Sequence, residues 1–437
     1  MGQGGQLLFV NGSPYNWSQT YIHSYQMNSW SFPNVITAGS IASVYVEWGQ
    51  NASETASDDG AEVRFAMQGT SHSFQMQARA TTGFNLQAML DNLTTQGNPQ
   101  GTVLDLGWNH DSITPFILSG TDGYFSSTNT PPNWMQANLP SFGNRTIRHL
   151  CIPGSHDSGM SNITGKTAFV DAGDVLTQSK NIGAQLSLGA RYFDVRPVIA
   201  SGHFAAGHYS QIEIVGWQGA DGQTFDDMIS QINAFTASNK ELIILNLSHD
   251  LNTDSGYLSL TQDEWNRLFQ QLTGLNNLFV APNPTTVDLT TLTLNQYIGN
   301  GQAAVVIVVQ PGNSSITLGN YATRGFYRYS QFNAYNSYAD TDDLDTMITD
   351  QLNKMRTVRT SQDSQLFLLS WTLTQDAGDI VSGDTILDLA NKADPTLYSQ
   401  LLPACSTTTY PNILYIDNFN DSNPTALAIS ISHTFAS

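Results

Sequence analysis

Residues 150–160 read Leu-Cys-Ile-Pro-Gly-Ser-His-Asp-Ser-Gly-Met. Leu150, Cys151 and Ile152 form a short apolar run of the kind a buried strand makes. Pro153 and Gly154 break it, and His156 and Asp157 follow where a turn lifts side chains out of a sheet. Ser158 and Gly159 keep the next backbone small and permissive. A histidine beside a carboxylate just past a buried strand is where a general base or acid is placed. The competing reading is a polar turn in which Asp157 caps the next segment through backbone N–H groups. A second stretch weighs against it.

That stretch, residues 189–197, is Gly-Ala-Arg-Tyr-Phe-Asp-Val-Arg-Pro. Asp194 and Arg196 are two apart, so on a strand they point the same way. Charges on one face of an apolar strand are costly to bury unless they pair or bind something. An arginine held by a neighbouring aspartate is a rigid fork suited to phosphate, against a purely structural ion pair. Farther on come Gly207-His208-Tyr209-Ser210, Asn246-Leu247-Ser248-His249-Asp250 and Ile413-Leu414-Tyr415-Ile416-Asp417. Each sets polar groups at the end of a small or apolar run. His208 reads as a second strand end and His203 as a solvated turn residue.

Around these stretches, short apolar runs alternate with helix-like segments. Strands are expected at 149–152, 192–195, 242–247, 303–309, 365–370 and 413–416. Helices are expected at 225–237, 262–272, 342–355, 385–390 and 425–434. Buried strands spaced by helices argue a parallel α/β sheet, closed as a TIM-like barrel rather than open. In such a barrel the C-terminal strand ends share one face, where two histidines, an arginine and several carboxylates converge.

Residues 1–125 have a different pattern, with strands expected at 6–10, 21–26, 41–48, 61–67, 71–79 and 102–106 and helical spacing only at 84–93. The expected organisation is multidomain. An all-β sandwich spans 1–125, a linker with Thr130-Pro131-Pro132-Asn133 covers 126–143, and the α/β barrel spans 144–437.

The chain has 437 residues with 16 Lys+Arg against 36 Asp+Glu, a formal charge of −20. That excludes nucleic acid as a partner, since no basic excess exists to release phosphate counterions. Membrane contact has to come from exposed aromatic or aliphatic groups rather than bulk charge. Two cysteines, Cys151 and Cys405, give no disulfide framework and no cysteine-based metal site, and the sequence does not decide whether they pair. No apolar run is long enough to span a bilayer, and MGQGGQLLFVNG lacks the features of a signal peptide. Sequons such as Asn16 and Asn144 keep secretion open beside a cytoplasmic location.

With IPGSHDS, GARYFDVRP and GHYS in one order, the chain resembles the X-domain of phosphatidylinositol-specific phospholipases C, closest to the bacterial type. The resemblance covers roughly residue 147 to the C-terminus and implies a distorted TIM-like barrel. It implies His156 as the base on the inositol 2-hydroxyl with Asp417 orienting it, and His208 as the acid partnered by Asp157. Arg196, held by Asp194, would bind the phosphate. The implied enzyme is a phosphoric diester hydrolase or phosphorus–oxygen lyase that releases diacylglycerol and inositol 1,2-cyclic phosphate from a phospholipid at a membrane surface. The calcium-dependent members carry a second carboxylate where Arg196 stands, so no metal and no other cofactor is expected.

The head-group region departs from the bacterial pattern, with neutral Asn333 and Tyr335 and with Ser248 and His249 in place of a lysine-bearing strand end. These four, with Trp371 as a stacking platform, are the expected substrate-binding residues. The departure motivates a second reading, a phosphodiesterase for a lysophospholipid, sphingolipid or glycosylated phosphatidylinositol. A third is a catalytically silent lipid- or glycan-binding protein. For the N-terminal module the expected role is binding of a membrane, a glycan or a protein, or simply shielding of the barrel.

Overall fold

A computed structural model describes residues 3–50, 55–81, 83–212, 215–376 and 383–436. The chain divides into two compact units, one of Met1–Pro131, Asp394–Thr407 and Ser422–Ser437, the other of Pro132–Ala393 and Thr408–Asp421.

In the first unit, alternating apolar residues build two sheets. One orders Ser126–Ser127, Ile113–Ser119, Gln3–Gly12, Ile41–Trp48 and Met27–Trp30. The other orders Val35–Ile36, Trp17–Tyr25, Gly60–Met67, Ser73–Arg79, Asn85–Met89 and Val103–Gly107. Their inner faces share one aromatic core. Phe9 of the first sheet meets Phe65 of the second edge to face at 5.4 Å, and Trp17 meets Phe74 at 5.0 Å. The helical spacing read at 84–93 is a strand, Asn85–Met89, because hydrogen bonding to Ser73–Arg79 on one side and Val103–Gly107 on the other outweighs a short-range pattern.

The C-terminal helix Asn423–Thr434 also belongs to this unit and packs on Ile113–Ser119 and Gln3–Gly12. The sequence reading groups it with the barrel. Pro424 through Ser432 are all buried, so the helix has no solvent face to mark it as peripheral. A Cβ at Gly12 would come within 2.0 Å of Ser430 Oγ, so this close approach requires glycine. Residues 126–143 hold a short strand and two single-turn helices, with Trp134, Met135 and Phe142 buried.

The second unit is built on a seven-stranded sheet, here numbered in chain order. The strands are β1 (Ile152–Ser155), β2 (Tyr192–Val195), β3 (Leu242–Ser248), β4 (Ala304–Gln310), β5 (Phe326–Arg328), β6 (Leu368–Ser370) and β7 (Ile413–Ile416). All pairs are parallel, in the order β5-β4-β3-β2-β1-β7-β6. The last strand therefore pairs with the first, an order consistent with a TIM-like barrel. No named ladder joins β5 to β6 among the described residues. Instead Tyr335 bridges Phe367 just before β6, and Thr374 N–H donates to the Thr341 carbonyl beyond it.

The strands are largely apolar and buried because helices cover the sheet, among them Phe225–Ser238 and Gln262–Leu272. Thr224 caps the first of these, and Thr261 with Glu264 forms a capping box on the second. At the start of β2 Arg191 is fully buried and paired with Glu241 at 2.8 Å, and its guanidinium also donates to the carbonyls of Leu186 and Ala190. This arginine is structural; Arg196, five residues on, is placed differently.

A second sheet, antiparallel except at its Leu251–Asn252 edge, was not expected. After β2 the chain forms Pro197–Ala200, His203–Ile212 and Gly216–Thr224, with Gly165–Lys166 and Leu251–Asn252 at the edges. The Ser-Gly pair at 201–202 turns the first hairpin with both residues at positive φ. No helix of the described residues is long and apolar enough to cross a membrane.

Candidate active site

His156 follows β1 directly, and its backbone N–H donates to the Ile416 carbonyl of β7. Its Nδ1 lies 2.8 Å from Asp417 Oδ1, and its Nε2 lies 2.8 Å from Nη2 of Arg196. A guanidinium can only donate, so Nε2 presents a lone pair and Nδ1 carries the proton directed at Asp417. This is a neutral imidazole in one tautomer. Burial disfavours its charged form, but the adjacent Asp417 carboxylate outweighs burial and raises the pKa above the ordinary value.

Asp157, in a left-handed backbone conformation at φ 40°, is completely buried. The turn is held by Thr177 Oγ1 donating to the Asp157 carbonyl and Gln178 Nε2 donating to the His156 carbonyl. Asp157 Oδ2 lies 3.1 Å from His208 Nδ1 and 3.5 Å from Arg196 Nη1. His208 is not at a parallel strand end, as its sequence suggested. It sits inside His203–Ile212, and the antiparallel sheet swings it over the turn. Gly159 makes this possible, since a Cβ there would come within 2.2 Å of Ala206 Cβ.

Asp194 is the third anchor. Its Oδ1 accepts from Ser248 Oγ at 2.8 Å and its Oδ2 from Tyr415 Oη at 2.6 Å, with Arg196 Nε 3.5 Å from Oδ2. Burial opposes its charge, but Arg196, His156, His249 and the tyrosine hydroxyl overcome it and hold the pKa down to about 2. Arg196 thus stands between two carboxylates, which offset its burial and raise its pKa. The side chains of His156, Arg196 and His208 are each 19% exposed, while Asp157 and Asp417 are 0% and 4% exposed. The two histidines and the arginine retain some solvent access, and the carboxylates lie deeper. Arg196 Nε, His208 Nδ1 and both Asp157 carboxylate oxygens lack aligned hydrogen bonds, so charge contacts at 3.1–3.5 Å join these groups.

Ser248 and His249 belong to this cluster. Because Ser248 Oγ donates to Asp194, its 2.9 Å contact with His249 Nδ1 must be accepted from the ring. Burial and then Arg196 lower the pKa of His249.

Three expected binding residues lie elsewhere. Trp371 is 1% exposed, with Nε1 donating to the Ala393 carbonyl, so its ring is core and no stacking platform. Tyr335 stacks on Phe367 at the entry to β6, and Asn333 accepts from Gln365 Nε2 at the same end. A strand's catalytic end is its C-terminal end; the sequence interval did not reveal that this segment runs beside β6 from its start. Conversely, Tyr415 and Gln178 were not singled out. The i,i+2 spacing of Tyr415 and Asp417 was a legible signal, whereas nothing local marks Gln178.

The α/β unit thus gathers two histidines, one arginine and three buried carboxylates into one cluster. No family model matches the chain. It is 25% identical over 186 residues to a 1-phosphatidylinositol phosphodiesterase of Staphylococcus aureus (strain NCTC 8325 / PS 47), covering 42% of this chain and 50% of that protein. It is 35% identical over 77 residues to a PI-PLC X domain-containing protein of Dictyostelium discoideum, 15% of this chain and 13% of that one. The chain thus spans about half the length of the Staphylococcus relatives it matches. Among solved structures it is similar to phosphatidylinositol-specific phospholipase C from Staphylococcus aureus (TM-score 0.49, 15% identity, 70% of this chain and 98% of that chain). The enzyme from Listeria monocytogenes has the same TM-score of 0.49 at 17% identity, covering 69% and 98%. The chain is similar to the bacterial phosphatidylinositol-specific phospholipases C, as its motifs suggested.

Proposed function

We propose that the protein is a phosphodiesterase of the phosphatidylinositol phospholipase C type, with a barrel that presents its catalytic groups at the C-terminal strand ends. The observation that carries this reading is the contact of Arg196 with the unprotonated nitrogen of His156. It sets a phosphate-binding cation beside a base whose other nitrogen is held by Asp417.

In the proposed reaction His156 Nε2 takes the proton of the inositol 2-hydroxyl, and that oxygen attacks phosphorus. Arg196 swings its Nη2 from His156 to the phosphate oxygens and balances the charge that builds on them. The bond from phosphorus to the glycerol oxygen breaks as His208 donates its proton to that oxygen. Asp157 faces the other nitrogen of His208 and stabilises the ring that carries the proton. The products are diacylglycerol and inositol 1,2-cyclic phosphate. Arg196 already supplies positive charge between Asp194 and Asp157, so the reaction is proposed to need no metal.

The displacement of Asn333, Tyr335 and Trp371 from the cluster favours a second reading for the head group alone. The same centre would act on another lipid phosphodiester that carries a neighbouring hydroxyl. Both readings are tested by phosphorus NMR of phosphatidylinositol vesicles incubated with the protein, with and without EDTA. Cyclic inositol phosphate in both samples supports the first reading, and its appearance only without EDTA overturns metal independence. No soluble phosphate from phosphatidylinositol, with turnover of a lysophospholipid or sphingolipid, selects the second reading. No turnover of any of them returns the protein to the class of silent binding modules.

A further inference from the structure

Two arms meet at the site, a base arm of His156 and Asp417 and a phosphate arm of Arg196 and Asp194. Their separation decides whether hydroxyl and phosphorus can be brought together. β7 touches both arms. Asp417 and Tyr415 are two residues apart, so both project to one side of the strand line. Asp417 holds His156 Nδ1 at 2.8 Å, and Tyr415 Oη donates to Asp194 Oδ2 at 2.6 Å. The Tyr415 ring also lies 5.2 Å from the His156 imidazole, centroid to centroid, and the residue is 4% exposed.

Asp194 does not grip Arg196 closely. The 3.5 Å separation from Nε is a charge contact, whereas the short bonds to the carboxylate come from Tyr415 and Ser248. Those neutral donors fix the carboxylate, and the carboxylate's field places the guanidinium. We infer that Tyr415 is a positioning residue that sets the spacing of the general base and the phosphate cation from one strand. It acts through Asp194 and touches neither substrate nor leaving group. Without its hydroxyl, Asp194 Oδ2 keeps only Arg196 Nε at 3.5 Å and the Asp157 N–H at 3.4 Å. The carboxylate then closes on the guanidinium and draws it away from His156 and the incoming phosphate.

The inference rests on the proposed phosphodiesterase reading, and the test separates the two. Tyr415→Phe, Arg196→Ala and the double variant are assayed on phosphatidylinositol vesicles, with inorganic phosphate binding followed by phosphorus NMR line broadening. Tyr415→Phe is expected to lower kcat about 10- to 100-fold with a smaller change in KM, and to cost under about twofold more in the Arg196→Ala background. Ser248→Ala, which frees the other oxygen of Asp194, is the second variant and shows the same dependence on Arg196. An equal loss with and without Arg196, or no loss, overturns the inference. If the wild type turns over no phosphoinositide, the functional reading fails, and phosphate binding decides for Tyr415. Binding at least about fivefold weaker in Tyr415→Phe, an effect of roughly 1 kcal/mol, upholds the inference and equal binding overturns it.

Discussion

Nη2 of Arg196 lies 2.8 Å from Nε2 of His156. The guanidinium donates to the imidazole lone pair, so in the proposed reaction the base and the phosphate-binding cation are linked before substrate arrives.

Replacing His156 by Ala, or Asp417 by Asn, is expected to lower kcat about 10²- to 10⁴-fold. The base works only when neutral, and Asp417 raises the His156 pKa despite burial. Activity in the wild type therefore rises with pH through a midpoint above the ordinary histidine value of 6.5. The residual activity of Asp417→Asn rises through a lower one. A kcat/KM profile of both proteins checks the sign.

As the proposed general acid, His208 is expected to be needed only where the leaving oxygen needs a proton. With an inositol phosphate ester of 4-nitrophenol, His208→Ala is expected to recover most of the activity it loses on lipid. His156→Ala stays impaired on both substrates. Equal impairment of His208→Ala on both substrates removes it from the acid role.

Arg196→Lys keeps the charge and loses the fork that meets His156, Asp157 and Asp194. Its kcat is expected to fall about 10²-fold or more, with the oxyanion-donor losses as the guide. EDTA is expected to leave the wild-type rate unchanged. A chelator-sensitive wild type shows instead that a metal supplies the charge.

Asp194 has its pKa lowered from 3.8 to about 2 in the folded protein. A depressed carboxylate contributes stability that is complete above its unfolded value and is lost as pH falls through the folded one. The window therefore runs from near pH 4 down to about 2, and the contribution is about 2 kcal/mol. Denaturant unfolding of wild type and Asp194→Asn at pH 7 and pH 2 measures it, the difference between the two shrinking at the lower pH.

Trp371→Phe removes a buried ring portion and the hydrogen bond to the Ala393 carbonyl. A loss of about 1–3 kcal/mol in stability is expected, with kcat/KM on the surviving folded fraction within about twofold of wild type by the same buried-residue argument. A selective rise in KM would return Trp371 to the substrate site.

Much of the centre was legible in the chain, because strand ends announce themselves where an apolar run stops at a polar residue. His156, Asp157 and Asp417 were read this way, Asp194 and Arg196 as charges two apart on one face of a strand, and β2 and β7 begin and end where the pattern put them. His208 was found for a different reason than the one that places it, since it lies inside an antiparallel strand. Asn333, Tyr335 and Trp371 were misplaced because their polarity or size is visible locally and their position along a neighbouring strand is not.

The sequence by itself determined most of the parallel strands and the longer helices of the second unit, and which residue types sit where those strands end. Those properties follow from periodicity and turn chemistry within a few residues. Only the tertiary structure decided that the C-terminal helix joins the β unit, that an antiparallel sheet carries His208, and that Tyr415 and Ser248 hold Asp194. These are pairings across tens to hundreds of residues. They are selected by which apolar faces are buried together and which buried polar groups find partners, and neither is written in any one stretch.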